Sequence, residues 1–373
     1  MKLGLLTFHD AANYGAVLQA YALQAFLQGE GYECEYLNYR SERRRRAYDM
    51  GFHIRDNLRR GNLAAALKYA LGRPFMEKRK RRFEAFRKAH LRISAKEYHT
   101  AEDLKQALGV YDKFIVGSDQ VWNPGNNGAD TAFLLDFVPE RNRKISYASS
   151  FGTDTIPDDL QSKYARCLAD IGHLSVRERA GCQLVRELTA RDVPAVVDPV
   201  FLLERRQWEA LAGEPRGKGK PFVFSYTNHE GQAESFFKHT GFRLNGMELH
   251  KLSRQTSPGD FLNPKVKIEY SMSPEEFLCN VRDAELVLTA SFHCLAFSIL
   301  FNKPFVCFLT GKSGRDERLA GLLKELGLEN RVFRPGMSLE NVLAPIDYGR
   351  VNEKLSGLVD HSAAYLRSAL ISN

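Results

Sequence analysis

His293 is the residue of this chain whose neighbours first suggest chemistry. Leu286-Val-Leu-Thr289 reads as a short buried strand and Leu295 to Phe301 as a helix apolar on nearly every side, with Ser291 at the N-cap position between them. A helix that follows a parallel strand starts at the carboxyl edge of the sheet, where its unpaired N–H groups favour anions. Ser291, Phe292 and His293 are thereby placed to meet a negatively charged ligand. The same stretch reads equally well with His293 as a satisfied core histidine.

Three other segments put useful side chains just after expected strands. Thr7-Phe-His9-Asp10-Ala-Ala-Asn13-Tyr14-Gly15 closes the first strand with a polar loop, and Gly15 lets the next helix begin close to a ligand. Ser118-Asp119-Gln120-Val-Trp122 supplies a hydroxyl, a carboxylate, an amide and an aromatic. Leu174-Ser-Val-Arg177-Glu178 ends on an arginine whose planar fork can take a phosphate or carboxylate in two hydrogen bonds. Each segment alone also reads as capping or core chemistry.

The elements that must position these groups alternate. Strands are expected at Lys2 to Phe8, Cys34 to Asn38, Lys113 to Val116, Lys144 to Ala148, Leu174 to Arg177 and Pro194 to Val197, with helices at Tyr14 to Gly29, Ala101 to Leu108, Asp158 to Ala169 and Glu178 to Leu188. After the loop Gly213 to Pro221 a second series begins. Its expected strands are Phe222 to Tyr226, Phe242 to Leu249, Glu285 to Thr289 and Phe305 to Phe308. Its expected helices are Gln232 to His239, Pro274 to Asp283, Phe292 to Phe301 and Arg315 to Leu326. Alternation of this kind specifies mostly parallel sheets covered on both faces. The expected fold is α/β and GT-B-like: two doubly wound Rossmann-like domains, 1–205 and 218–348, facing across a cleft. A final helix, 349–373, is expected to return to the first domain.

Length, at 373 residues, suits two or three cores. No run approaches a membrane span, and the opening residues read as a strand and not a signal peptide, so a soluble cytoplasmic protein is expected. The six cysteines lack metal-site spacing. The net charge of +8 is local. Residues 40–92 hold 18 Lys or Arg against 5 Asp or Glu, a local +13 that leaves the remainder near −5. Arg43 to Arg46 and Lys78 to Arg82 carry much of it, on what reads as an inserted amphipathic helix or hairpin. It is either a solvated face or a surface for anionic lipid, with association at the inner face of the cytoplasmic membrane. No nucleic-acid motif accompanies it, which weakens a purely adaptor role.

Gly311-Lys312-Ser313 lacks the earlier glycine of a phosphate-binding loop, because Val306 stands there. G-x-G-x-x-G, H-E-x-x-H and D-x-D are absent. No metal or cofactor is expected.

Together, F-H-D-A-A-N-Y-G-A-V-L-Q, Y-D-K-F-I-V-G-S-D-Q-V-W-N, I-S-Y-A-S-S-F-G, S-V-R-E, D-P-V-F-L-L and S-F-H followed by F-N-K-P-F resemble the polysaccharide pyruvyl transferase family. The resemblance implies phosphoenolpyruvate as co-substrate and a pyruvate ketal on a sugar diol as product. It sets Arg177, His293 and Asp119 as catalytic candidates. Arg177, Ser291, Phe292, His293, Lys303 and Arg318 become the donor side, and His9, Asp10, Asn13, Tyr14, Gly15, Ser118, Asp119, Gln120 and Trp122 the acceptor side. A lipid-diphosphate-linked oligosaccharide is a candidate acceptor. The competing enzymatic reading is a GT-B glycosyltransferase with a nucleotide-sugar donor. Some family members carry S-x-R-x-H at the last block, and here Ala290 or Ser291 stands at the arginine position.

Overall fold

A computed structural model describes residues 1–373 except 42, 44–49, 215–218, 228, 230, 253–257, 312 and 373. Arg44 to Arg46 of the first basic cluster therefore lie outside the described residues. Two five-stranded parallel sheets carry the fold. The first, in the order β3-β2-β1-β4-β5, comprises β1 (Lys2–Leu6), β2 (Glu33–Tyr39), β3 (Ile93–Tyr98), β4 (Lys113–Val116) and β5 (Lys144–Ser146). The second, in the order β10-β9-β6-β7-β8, comprises β6 (Phe222–Tyr226), β7 (Glu248–Leu252), β8 (Val266–Glu269), β9 (Leu286–Thr289) and β10 (Phe305–Cys307). Counted from its own first strand, each sheet has the same doubly wound order. The order reverses between β1 and β4 and between β6 and β9, where such folds open a crevice at their carboxyl edges.

Described helices of eight or more residues are α1 (Tyr14–Gly29), α2 (Met50–Arg59), α3 (Leu63–His90), α4 (Asp158–Ala169), α5 (Arg179–Thr189), α6 (Arg205–Ala212), α7 (Gln232–Thr240), α8 (Pro274–Asp283), α9 (Phe292–Leu300), α10 (Ser313–Leu326) and α11 (Tyr348–Ile371). Strands such as β4 and β9 are buried at every position, as helices on both faces of a sheet require. This is the GT-B-like arrangement of two Rossmann-like units.

The units share a core. Tyr14, Val17, Leu18, Phe83 and Phe86 from the first side pack in one cluster with Phe277, Leu278, Val281 and Phe297 of the second. Tyr14 stacks on Phe277 at 4.6 Å between ring centres and donates its hydroxyl to the Met272 carbonyl at 3.0 Å. Helix α11 covers the first sheet, with Leu366 and Leu370 against Leu3, Leu5 and Ile115. There the Lys113 amine donates to the Ala369 carbonyl at 3.0 Å.

The expected strands at Leu174 to Arg177 and Pro194 to Val197 form only isolated bridges, Ser149 with Val176 and Val176 with Ala195. Two strands were not expected. β3 is an edge strand with three exposed residues, so its apolar pattern is weak. β7 starts later than Phe242 because Asn245 and Gly246, both at positive φ, turn the chain first, and β8 pairs beside it.

Candidate active site

Asp198 is the hub of the junction between the units. It follows the Val176–Ala195 bridge, and its Oδ1 accepts from the Val200 N–H at 3.2 Å to start a short 3₁₀ turn. Its side chain is 0% exposed. Oδ2 takes an Arg177 Nη1 hydrogen bond at 2.8 Å, lies 3.0 Å from the Ser118 hydroxyl, and lies 3.4 Å from His293 Nε2 across the cleft. Burial opposes the carboxylate charge, but His293 and Arg177 together outweigh it and hold the carboxyl well below the usual carboxylate range.

Arg177 has capacity left over. Burial disfavours its charge, but Asp198, Glu178 and Asp119 overcome this and raise its pKa. Its Nη2 and Nε are buried without a hydrogen-bond partner, with the nearest Glu178 oxygen 3.6 Å from Nε. The guanidinium lies over the Phe292 ring, 4.7 Å from its centre. It forms the wall of a cavity of about 430 Å³, bounded also by Asp198, Phe292, Glu317, Arg318 and α11. Unmade donors on a buried cation are costly. On the rim, with the Gln120 amide assigned so that its oxygen faces Arg318, that oxygen accepts from Nη2 at 2.7 Å and Nη1 at 3.1 Å, joining the two units. Asp119 sits in the left-handed region at φ 65°, which an aspartate tolerates better than most residues.

Of the expected residues, then, the structure gathers Arg177, Ser118, Asp119, Gln120, Phe292, His293 and Arg318. It corrects others. His293 does not face open space, because its Nε2 is turned to Asp198. Ser291 occupies the N-cap of α9 in an extended conformation, but its side chain makes no cap bond. Ser118 is fully buried, with its hydroxyl also 3.0 Å from the Ala148 carbonyl, so it braces the hub and does not meet a sugar. Trp122 and Tyr14 are core residues, and Trp122 donates to the Phe133 carbonyl at 2.8 Å. Asn13 caps α1, accepting from the Ala16 N–H at 3.3 Å. His9 is buried against Tyr36, its Nδ1 3.2 Å from the Thr7 carbonyl, and the Asp10 carbonyl accepts from Arg87. Lys303 lies past the far end of α9, ten residues after His293, where burial lowers its pKa.

Gly15 approaches a neighbour closely, as expected, but that neighbour is His293: a Cβ there would lie 2.0 Å from Nδ1. Alanine in a helix normally stabilises relative to glycine. Here Gly15→Ala is expected to destabilise by about 1–3 kcal/mol through overpacking. Adding His293→Ala should relieve the clash, giving a favourable coupling in a urea-melt double-mutant cycle.

Two residues escaped the sequence reading. Asp198 opens the D-P-V-F-L-L block, where a turn-forming Asp-Pro pair hides a charged hub. Glu317 precedes Arg318. Its carboxyl is raised by burial, with the Ala180 N–H it accepts at 3.1 Å opposing and the carboxylates of Glu178 and Asp154 adding to the rise. Cys294, beside His293, is pushed up to about 12 by burial and is no nucleophile. Asp316 accepts the Thr310 and Gly311 N–H groups, closing the false phosphate loop. Among the described residues no three of His, Cys, Asp and Glu cluster as metal ligands.

The sheets and the site at their junction define a GT-B-type protein. A 2-epimerase-like structure from Listeria monocytogenes, titled a putative UDP-N-acetylglucosamine 2-epimerase, superposes with TM-score 0.50 at 10% identity, over 100% of this chain and 91% of that one. The Methanocaldococcus jannaschii UDP-GlcNAc 2-epimerase (TM-score 0.48, 13% identity, 95% and 93% covered) and the E. coli heptosyltransferase WaaC (0.41, 14%, 96% and 100%) are also similar. No curated protein sequence matches significantly. The model of the polysaccharide pyruvyl transferase family matches residues 13–311, and the chain belongs to that family.

Proposed function

We propose that the protein transfers pyruvate from phosphoenolpyruvate to two hydroxyls of a sugar in a cell-surface polysaccharide repeat unit, forming a ketal and releasing phosphate. The observation that carries this reading is Arg177, a buried cation in the lining of the cavity beside Arg318, two of whose donors make no hydrogen bond. Arg177 and Arg318 supply two cationic forks for a small ligand that bears a phosphate and a carboxylate. Protonation of the donor's methylene carbon makes C2 electrophilic. One sugar hydroxyl adds there, losing its proton to a base. Phosphate then leaves with the C2–O bonding pair, and the second hydroxyl adds and loses its proton to close the ring.

His293, whose Nε2 lies 3.4 Å from Asp198 Oδ2, is the proposed acid, and Asp119 is the proposed base. Phosphoenolpyruvate is the co-substrate, and no other cofactor or metal is needed in this scheme. The acceptor is a sugar carried on a lipid diphosphate at the inner face of the cytoplasmic membrane.

Incubation with phosphoenolpyruvate and a cell-surface oligosaccharide extract should release inorganic phosphate and add one pyruvylidene mass to the acceptor. Turnover should survive EDTA. Loss of turnover in EDTA that a divalent ion restores would oppose the metal-free scheme. Turnover of a nucleotide sugar, indifferent to phosphoenolpyruvate, would replace the donor.

A further inference from the structure

The basic insertion is a helical hairpin, α2 and α3, docked on the body of the protein toward the carboxyl end of α3. Near the carboxyl end of α3, Phe83 and Phe86 enter the shared core and Arg79 is buried over the Tyr14 ring. Arg82 pairs with Glu276 of α8, so this part of the helix straps the two units together. From Leu63 to Arg79 the helix runs about 24 Å, with Phe75 meeting Tyr270 on the way. Its leading end carries apolar side chains into water. Leu63 is 69% exposed, Leu67 60% and Leu58, just across the turn on α2, 50%. Leu63 and Leu67 lie on one face of α3, four residues apart.

Basic residues flank this tip and recur along α3. Arg55, Arg59 and Arg60 are exposed beside it, and Lys78, Lys80 and Arg81 are exposed further along α3. Residues 50–82 hold ten Lys or Arg and two Asp or Glu. Leucines exposed within a basic field suit a surface that is apolar beneath and anionic above. Two such hairpins would repel one another, which disfavours a second copy as occupant. The leucines have no use against nucleic-acid phosphates. No described helix is long and apolar enough to cross a membrane, so the contact would be interfacial.

We infer that the tip of the α2–α3 hairpin docks on an anionic lipid bilayer, Leu58, Leu63 and Leu67 entering the headgroup layer while the flanking Arg55, Arg59 and Arg60 meet lipid phosphates. The surface acts whatever reaction the cleft performs, because none of these residues lines it.

The full-length protein should sediment with phosphatidylglycerol-containing vesicles and remain free with phosphatidylcholine ones, the bound fraction falling steeply as salt rises. Leu58→Ser/Leu63→Ser/Leu67→Ser should lower partitioning about tenfold or more while leaving the circular dichroism melt in place. Arg55→Gln/Arg59→Gln/Arg60→Gln should lower it to a similar extent and flatten the salt dependence. Absence of wild-type binding, equal binding to both vesicle types, or a serine triple variant that partitions like the wild type would each overturn the inference. So would a concentration-dependent dimer, abolished by the serine variant, in a protein that ignores vesicles: the face would then be a self-association surface.

Discussion

Asp198→Ala is expected to cost about 3–5 kcal/mol of folding stability, the range found when one partner of a buried ion pair is removed. The loss is large because alanine leaves the buried Arg177 cation without its 2.8 Å partner and removes the carboxylate that lies 3.4 Å from His293 Nε2. Asp198→Asn keeps the shape and removes the charge, so it should fall between alanine and wild type. Adding Arg177→Ala to Asp198→Ala should recover part of the loss, since a buried cation without a counter-charge goes too. A single alanine variant within about 0.5 kcal/mol of wild type in urea melts would show that the hub does not bear this strain.

The same carboxylate has a pH signature. Its folded pKa is depressed relative to the unfolded chain, so its contribution is fully present above the unfolded value of about 4. It is lost progressively as pH falls from there toward the folded pKa. Wild type should therefore lose more stability than Asp198→Asn as acid is added, and parallel acid melts would contradict the assignment.

Arg177→Ala is expected to remove about 2–4 kcal/mol of transition-state stabilisation, roughly a hundredfold or more in rate. Binding should show the same residue at work without turnover. Calorimetric affinity for phosphoenolpyruvate should drop in the alanine variant, while affinity for the sugar acceptor holds. Arg177→Lys keeps the charge and loses the two-pronged geometry, so it should restore stability better than activity. Near-normal turnover by Arg177→Ala would leave the arginine a structural ion pair. His293→Ala provides the comparison: a collapse of stability without a specific catalytic defect would assign that ring to the core.

Much of the scaffold was legible because its signals are local. Tyr14 to Gly29 is a helix with an asparagine cap, Lys113 to Val116 a strand buried at every position, and Pro274 to Asp283 is preceded by Ser273, which forms a capping box with Glu276. β3 was hidden because an edge strand with Ala95, Lys96 and Glu97 exposed has no clean apolar alternation. The site was harder to see because its bonds are remote in sequence. Arg177 and His293 are separable as candidates, but nothing beside either reveals that they share Asp198. An aromatic in a polar loop also says nothing about which way it faces. Tyr14 and Trp122 looked like platforms for a sugar, yet one spans the shared core and the other seals the first unit.

Helix α11 also fixes an order of events. Strand β5 ends at Ser146, and the helix that lays Leu366 and Leu370 over the first sheet begins at Tyr348, about 200 residues later. A ribosome would finish all five strands of that sheet long before making their cover. During that interval Leu3, Leu5 and Ile115 lack their final neighbours, and the nascent chain exposes an apolar surface that domain-by-domain folding cannot bury. Stalled chains carrying the complete second sheet but not α11 should remain sensitive to protease in β1 and β4. Chaperone demand would then be set by the distance between a sheet and its cover, independently of the stability of the finished fold.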